Sequence, residues 1–565
     1  MVRGGYQIQY VGGGNFNGIE GALGQTPGSE YLVTYQGDSA RPYLDLTSIT
    51  KNQIPYPIAP PVLPVQQILL TDRTKTISAY DPNYVNPYVQ NLTLSITKDV
   101  NRHLTLDARY IGTLTRKNFG SFDLNYPNFR TNGLKEAFDL ARAGKDSPLL
   151  DQMFKGINIA GAGFGPVGTP FNGVPQTGAL HLRNNTVLRS NLANGNYAAL
   201  AGQIAQLNYV TFAGSGNESL PPVAAGVNGA VLRSNGFPEN FILTNPQFGC
   251  SIGCTSGGAT LLTNLGHSNY HSLQVLQTLR NIAGLNFQTS YTWSKELGID
   301  PNSVPNGIAA AGFTDPTNQH GDYTLLRTNR THVVRTYGSY DLPVGPGKSL
   351  AGNSHGVLAR VIEGWQMSWI VNLQSGAPLT IAAQNAGIYR LGVPDQVRPF
   401  DFKGARGVQW ANGNTGLYFG DIFNKVRDPQ CLAIDPSISS FCTLQAVADK
   451  SGNIILQNPQ PGTRGNVGLN SIEGAGTWTA DMALTKSFKI RESLRGTVRM
   501  DARNVFNHPT PGANAAAFAV PPIDGGAQMN LNDTNPFGNI PLKGASSGYW
   551  APSQRNFQLK VRLDF

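Results

Sequence analysis

The sequence predicts an all-β fold: a transmembrane antiparallel β-barrel whose long loops lie on one side and carry short helices. Three observations predict it. Apolar and polar residues alternate with period two in many segments, the signature of a strand whose two faces meet different surroundings. These segments are ~10 residues long, the length a tilted strand needs to cross a hydrocarbon core. Short links between them alternate with long stretches rich in Gly, Pro and Asn.

The composition agrees. The chain has 565 residues, 65 of them Gly, with 14% charged and 9% aromatic residues. A disordered chain would be richer in charge and poorer in aromatics. Mean hydropathy is only −0.22, and no apolar run reaches the ~18 residues of a membrane helix. A barrel keeps such an average because lipid-facing and lumen-facing residues alternate. The formal charge of +9 comes from 43 basic and 34 acidic residues. It is spread without a Lys/Arg-rich block, so no nucleic-acid partner is expected.

In chain order, "VRGGYQIQY" opens a strand near 2–11, in place of the apolar core of a signal peptide. Over 88–97, Leu92, Leu94 and Ile96 alternate with polar residues, and over 103–112 Leu104, Leu106, Ala108 and Tyr110 do the same. A weaker strand near 271–280 precedes the clear alternation Leu285, Phe287, Thr289, Tyr291, Trp293 over 285–294. Strands near 330–341 and 364–374 follow; in the latter, Trp365, Met367, Trp369, Val371 and Leu373 share one face and Ile370 interrupts the other. A further strand is read at 377–383. Two more, 477–490 and 494–505, meet at a turn near Arg491–Ser493. The last, 555–565, places Phe557, Leu559, Val561, Leu563 and Phe565 on one face. That makes about 11 candidate strands. The long stretches run roughly 114–270, 295–328 and 385–475. Leu134–Arg142 and Tyr197–Leu207 read as surface helices on the loops. Tyr110, Tyr291, Trp293, Trp365, Trp369, Trp478 and Phe565 on the apolar faces read as interfacial girdles, with ordinary core packing as the alternative.

Opposite the apolar faces stand Arg109, Arg280, Arg335, Arg495, Arg499, Arg503, Lys560 and Arg562, against Asp107, Asp481, Asp501 and Asp564. This basic excess on a lumen would favour anionic solutes or an acidic plug surface. Pairing of Arg with Asp across strands is the alternative. Cys250, Cys254, Cys431 and Cys442 allow three connectivities. Local pairing, Cys250 with Cys254 and Cys431 with Cys442, is the simplest in an oxidising compartment, and free thiols are the alternative. Both pairs fall in long-loop regions.

Motifs for chemistry read as loop. Gly352–Gly356 matches G-x-S-x-G but sits among turn formers, without the strand and helix of a nucleophile elbow. Gly163, Gly165 and Gly168 match G-x-G-x-x-G, but Pro166 and Pro170 oppose the helix that would cradle a phosphate. His267 and His271 have no acidic partner nearby in sequence and read as loop or strand-edge residues. No enzymatic activity, metal or cofactor is expected.

The stretches "SNYHSLQVLQTLRNIAGLNFQTSYTWSKEL" (268–297), "GWQMSWIVNLQSGAPLTI" (364–381), "RGNVGLNSIEGAGTWTADMALTKSFKI" (464–490), "MDARNVFNHPTPG" (500–512) and the terminal "NFQLKVRLDF" resemble, in order and spacing, the Oar-like TonB-dependent outer-membrane receptors. The resemblance covers 80–565 well and the first 80 residues loosely. It implies a barrel of roughly 22 strands in the outer membrane of a Gram-negative bacterium, in contact with lipid and lipopolysaccharide. It also implies an internal plug and a TonB-contacting segment, for which no candidate stands out in this sequence. Residues 1–565 are therefore expected to be the C-terminal portion of the barrel wall, reaching TonB only through an upstream plug segment. The resemblance further implies that Phe557, Leu559, Val561, Leu563 and Phe565 form a terminal signal read by the barrel assembly machinery. The expected function is part of an importer of an unidentified large or scarce solute, with a passive pore, a surface adhesin or a secreted soluble β protein as alternatives.

Overall fold

A computed structural model describes the chain except for 11–76, 208–228, 249–258, 300–312, 384–387, 390–391, 403–408, 412–414, 475, 492–493, 509–528, 542–554 and 565. Cys250, Cys254 and Phe565 lie outside the described residues.

Ten strands follow one another in chain order across a single antiparallel meander. They are β1 (Val2–Tyr10), β2 (Tyr88–Asn101), β3 (Leu104–Asp123), β4 (Ala259–Ile282), β5 (Leu285–Ile299), β6 (His332–Asp341), β7 (Trp365–Gln374), β8 (Thr477–Arg491), β9 (Leu494–Arg503) and β10 (Asn556–Asp564). Two short strands join its margin, Ile77–Tyr80 on β4 and Thr324–Leu325 on β5. Among the described residues the sheet is open: β1 pairs only with β2 and β10 only with β9. One of the expected strands, 377–383, is not in the wall. Only Pro378–Leu379 is extended there, paired with Ile472–Glu473 in a two-stranded sheet above it. Pro378 has no N–H to give a central ladder, and Gly376 abuts Gly474, so the chain leaves the wall here.

Register carries the period-two pattern across the whole sheet. Val2 stands opposite Ile96, Ile96 opposite Ala108, Ala108 opposite Val275, and Val275 opposite Tyr291. On the other side, Trp369 stands opposite Met482, Met482 opposite Ala502, and Ala502 opposite Phe557. Each of these belongs to one continuous apolar face. Glycines on this face make room for rings: a Cβ on Gly338 would collide with Trp369, and one on Gly496 with Phe488.

That apolar face is bare. Leu94, Ile96, Trp293, Leu559 and Val561 are all exposed, Val561 by 70%. A soluble protein rarely leaves so large a contiguous apolar surface uncovered; here it is the surface offered to lipid. No helix among the described residues is long and apolar enough to cross a membrane, so the crossing elements are the strands.

The packed cores lie in the links instead. Links 102–103, 283–284, 342–364 and 492–493 leave the strands at one end, and the other, long links leave them at the opposite end. β3 has 20 residues and β4 has 24, longer than expected. A strand of 24 residues rises roughly 80 Å, against about 30 Å of hydrocarbon, so β3 and β4 project beyond the bilayer and the loop between them begins at 124 rather than near 114.

On those extensions sits a loop module with six helices among the described residues: α1 (Leu134–Arg142), α2 (Pro148–Met153), α3 (Gly178–Asn184), α4 (Arg189–Ala193), α5 (Tyr197–Gln206) and α6 (Ala230–Ser234). The expected surface helices are its core. Every residue of α5 is buried, as are Leu134, Ala137, Phe138 and Ala141 of α1. Phe129, Phe138 and Tyr197 meet edge to face, and Tyr197 donates to Asp139 at 2.7 Å. A second core joins the β7–β8 and β9–β10 links. Phe419 and Phe537 stack there, with Phe423 edge-on to both, beside a four-stranded sheet of Asp395–Gln396, Ile454–Gln457, Gln445–Asp449 and Phe423–Arg427.

Candidate functional site

The functional surface is built from the residues that alternate with the apolar ones. Thr278, Gln288, Tyr337, Ile370 and Asp481 form one register row across β4 to β8, and Arg503 faces Asn556 across β9 and β10. The sheet curls about this polar face, and residues from β4 through β10 line a cavity of about 990 Å³. Ile370, the interruption in the β7 alternation, lies on its wall with Arg280, Arg499 and Lys560. Tyr337 donates to Gln288, its direct neighbour on the adjacent strand.

Register places all the basic candidates on strands whose polar residues share this face. Arg109 stands opposite Ser95 and Gln274, Arg335 opposite Ser290 and Asn372, Arg499 opposite Thr485 and Lys560, Arg495 opposite Asp564, and Arg562 opposite Thr497. The Arg–Asp pairs among them run along a strand rather than across strands, and Lys560 alone reaches the neighbouring strand. Arg499 and Lys560 share Asp501 at 2.7 and 3.0 Å, Arg562 meets Asp564 at 2.5 Å, and Arg109 meets Asp107 at 3.4 Å. Arg280, Arg335, Arg495 and Arg503 have no ion pair among the described residues. Exposed pairs contribute little to stability, so their consequence is the field along the wall: a lining of paired charges with unpaired guanidinium groups along it.

The girdle candidates other than Phe565, which lies outside the described residues, occupy the opposite face. Tyr110 and Tyr291 each bond a histidine of the next strand, His271 and His332, at 2.7 and 2.8 Å. His271 and His267 are therefore interior-strand residues rather than loop or edge residues. His267 stacks on Tyr323, which also stacks on His320. No group of three or more metal-binding side chains occurs among the described residues.

Above the cavity the loops are bound together by a buried node. Asp428 is fully buried and accepts from the Gln430 amide at 2.9 Å and from the Asn458 amide and side chain at 2.8 Å each. Asn458 accepts from Asn532 of the β9–β10 link at 2.7 Å, and Gln430 accepts from Arg142 of α1 at 3.4 Å. Through Asn458 and Gln430, the two residues this carboxylate holds, three long links are tied together. Lys425, half-buried beside Asp533 at 2.5 Å, makes a second tie, and desolvation holds its ammonium below the usual lysine range. Cys431 and Cys442 are bonded to each other and buried in the loop module. The node escaped the sequence reading; its signal was Asp428-Pro429 and Asp435-Pro436, an N-cap followed by Pro, twice in succession.

Gly352–Gly356 lies in the β6–β7 link, where Gly356 opens a short helix, Gly356–Ile362, absent from the sequence reading. Gly163 and Gly168 adopt left-handed conformations in the loop module.

No curated protein sequence matches the chain. Among solved structures it is similar to the outer membrane transporter YddB from Escherichia coli, with 7% identity over 87% of this chain and 34% of that one and a TM-score of 0.29. It is also similar to the FrpB iron transporter from Neisseria meningitidis, with 7% identity over 86% and 32% and a TM-score of 0.27. For the copper transporter OprC the identity is 7% over 86% and 33%, with a TM-score of 0.24. The chain thus spans about a third of the length of these structures. The model of the outer membrane beta barrel domain matches residues 1–558. With that match over a sheet bare and apolar on one face and polar on the other, the chain belongs to the outer membrane β-barrel domain family, whose place is the outer membrane of a Gram-negative bacterium.

Proposed function

We propose that this chain forms part of the wall and the external loops of a TonB-dependent importer of a large or scarce solute. The observation that carries the reading is the division of labour in the fold. A curled, charged polar face lies along the strands, and two packed loop cores stand at one end of it, held over it by Asp428 and its partners. The loops capture solute, and the polar face guides it. An open strand edge is not tolerated in hydrocarbon, so further strands complete the wall against β1 and β10. The plug and the TonB contact belong to a further segment, distinct from the wall. A passive pore or an adhesin is the second reading, favoured by loops that are packed and stapled rather than loose.

The test compares cells with and without the gene in a defined mixture of metal chelates and oligosaccharides, with the proton gradient intact or collapsed. An importer depletes at least one solute only when both gene and gradient are present. Depletion that survives collapse indicates a pore. Unchanged depletion with lost surface attachment indicates an adhesin.

A further inference from the structure

We infer that the short helix Gly356–Ile362 is a membrane-interface anchor, lying in the phospholipid leaflet at the short-link end of the strands. This link is the longest of those at its end, 342–364, where the others have two residues each. The helix leaves Val357, Leu358 and Val361 exposed at 81%, 62% and 56%, and only Ala359 is buried. Positions i, i+1 and i+4 make one apolar side. Arg360 pairs with Glu363 at 3.0 Å.

What covers that apolar side follows from where the helix is tied. Lys486 and Trp365 stand opposite each other on β8 and β7, in the register of the apolar face. Lys486 donates to the carbonyls of Val361 and Glu363 at 2.9 and 2.6 Å, and the Trp365 indole donates to the Val361 carbonyl at 2.9 Å. A lysine and an indole thus cap the helix C-terminus, where carbonyls lack intrahelical partners and the dipole favours a cation. Both reach it from the lipid-facing side of the wall, so the helix folds outward against that side and not beneath the cavity. Phe488 and Ile490, exposed on β8 at the same end, continue the apolar surface from sheet to helix. The occupant is therefore the one that covers the sheet: the acyl and headgroup boundary of a phospholipid leaflet, the ordinary seat of an amphipathic interfacial helix. The ammonium of Lys486 beside the Trp365 ring, 5.1 Å from its centre, is placed at headgroup depth.

The test uses the full chain in native outer membranes, with Val357→Cys, Val361→Cys or Arg360→Cys carrying an environment-sensitive fluorophore and the parent chain setting the background. Quenching by nitroxide-labelled phospholipid is expected to be several-fold stronger at positions 357 and 361 than at 360. Adding Lys486→Met is expected to release the helix and lower quenching at 361. Equally weak quenching at all three positions, with iodide reaching each, would overturn the proposal. So would blue-shifted emission without lipid quenching, which means a protein covers the helix. Failure of the chain to float with membranes would contradict the orientation of the whole sheet, an outcome distinct from the failure of the helix alone.

Discussion

Asp428 shows how much one side chain holds when the two residues it orders, Gln430 and Asn458, each reach into a further link. Asp428→Ala leaves the amides of Gln430 and Asn458 buried without their acceptor, at about 1–3 kcal/mol each. The loop cores are expected to loosen while the sheet persists, seen as faster proteolysis of 124–248 and 415–474 with unchanged heat-modifiable gel migration. His181 supplies a pH dependence. It is fully buried against Phe164 and bonded to Gln176 at 3.0 Å, and burial pushes its imidazole from 6.5 down to about 4. The folded module therefore holds a neutral ring while the unfolded chain takes up a proton as pH falls through 6.5. Module stability is flat above that pH and falls between 6.5 and about 4; in His181→Gln this fall is expected to shrink, measured by hydrogen exchange of α3. The Cys431–Cys442 bridge closes the loop around Pro436–Ser439. Thiol reagents added to intact cells without reductant are expected to leave both residues unlabelled, and efficient labelling would contradict an oxidised bridge.

At the scale of elements, alternation was readable wherever one face met lipid and the other water. The strands β1, β2, β5, β7, β8, β9 and β10 stand where Leu92, Trp293, Trp369, Met482, Met500 and Leu559 mark a face. Strand ends were not readable, because β3 and β4 run on past the bilayer, where no lipid enforces the alternation. Segment 377–383 reads as a strand, but Pro378 cannot donate to a central ladder, and Pro378–Leu379 pairs with Ile472–Glu473 instead of the wall. The helices at 134 and 197 were legible from their spacing; their burial was not, because the residues that cover them come from links distant in sequence. Asp428 was illegible for the same reason: its partners lie 30 residues away at Asn458 and, through it, at Asn532. The last strand carries an element-scale prediction. Phe557, Leu559, Val561 and Leu563 are all exposed on β10, and Phe565 follows them. Deleting Phe565 removes roughly 1.5–3 kcal/mol of burial at most, too little to unfold a large barrel. Outer-membrane insertion is expected to drop sharply while refolding into detergent changes little; equal losses in both would reduce the residue to packing.

As a whole the molecule inverts the usual arrangement. Its sheet keeps apolar side chains outside, and its cores are made by loops standing clear of the membrane. Most sheet positions that are buried are small, such as Ala480, Ala483, Ala502, Ser272 and Ser294. The edges at β1 and β10, open among the described residues, call for partner strands in the membrane, since a wall of this kind is stable in lipid only when its last strands are paired. The most direct test is reactivity along β9 in native outer membranes, with single cysteines from Val498 to Arg503 and a charged, membrane-impermeant thiol reagent. Positions 499, 501 and 503 are expected to react and 498, 500 and 502 to resist, reversing when a lipid-soluble reagent is used. Uniform reactivity, or the opposite parity, would contradict a wall with lipid on one face and a polar lumen on the other.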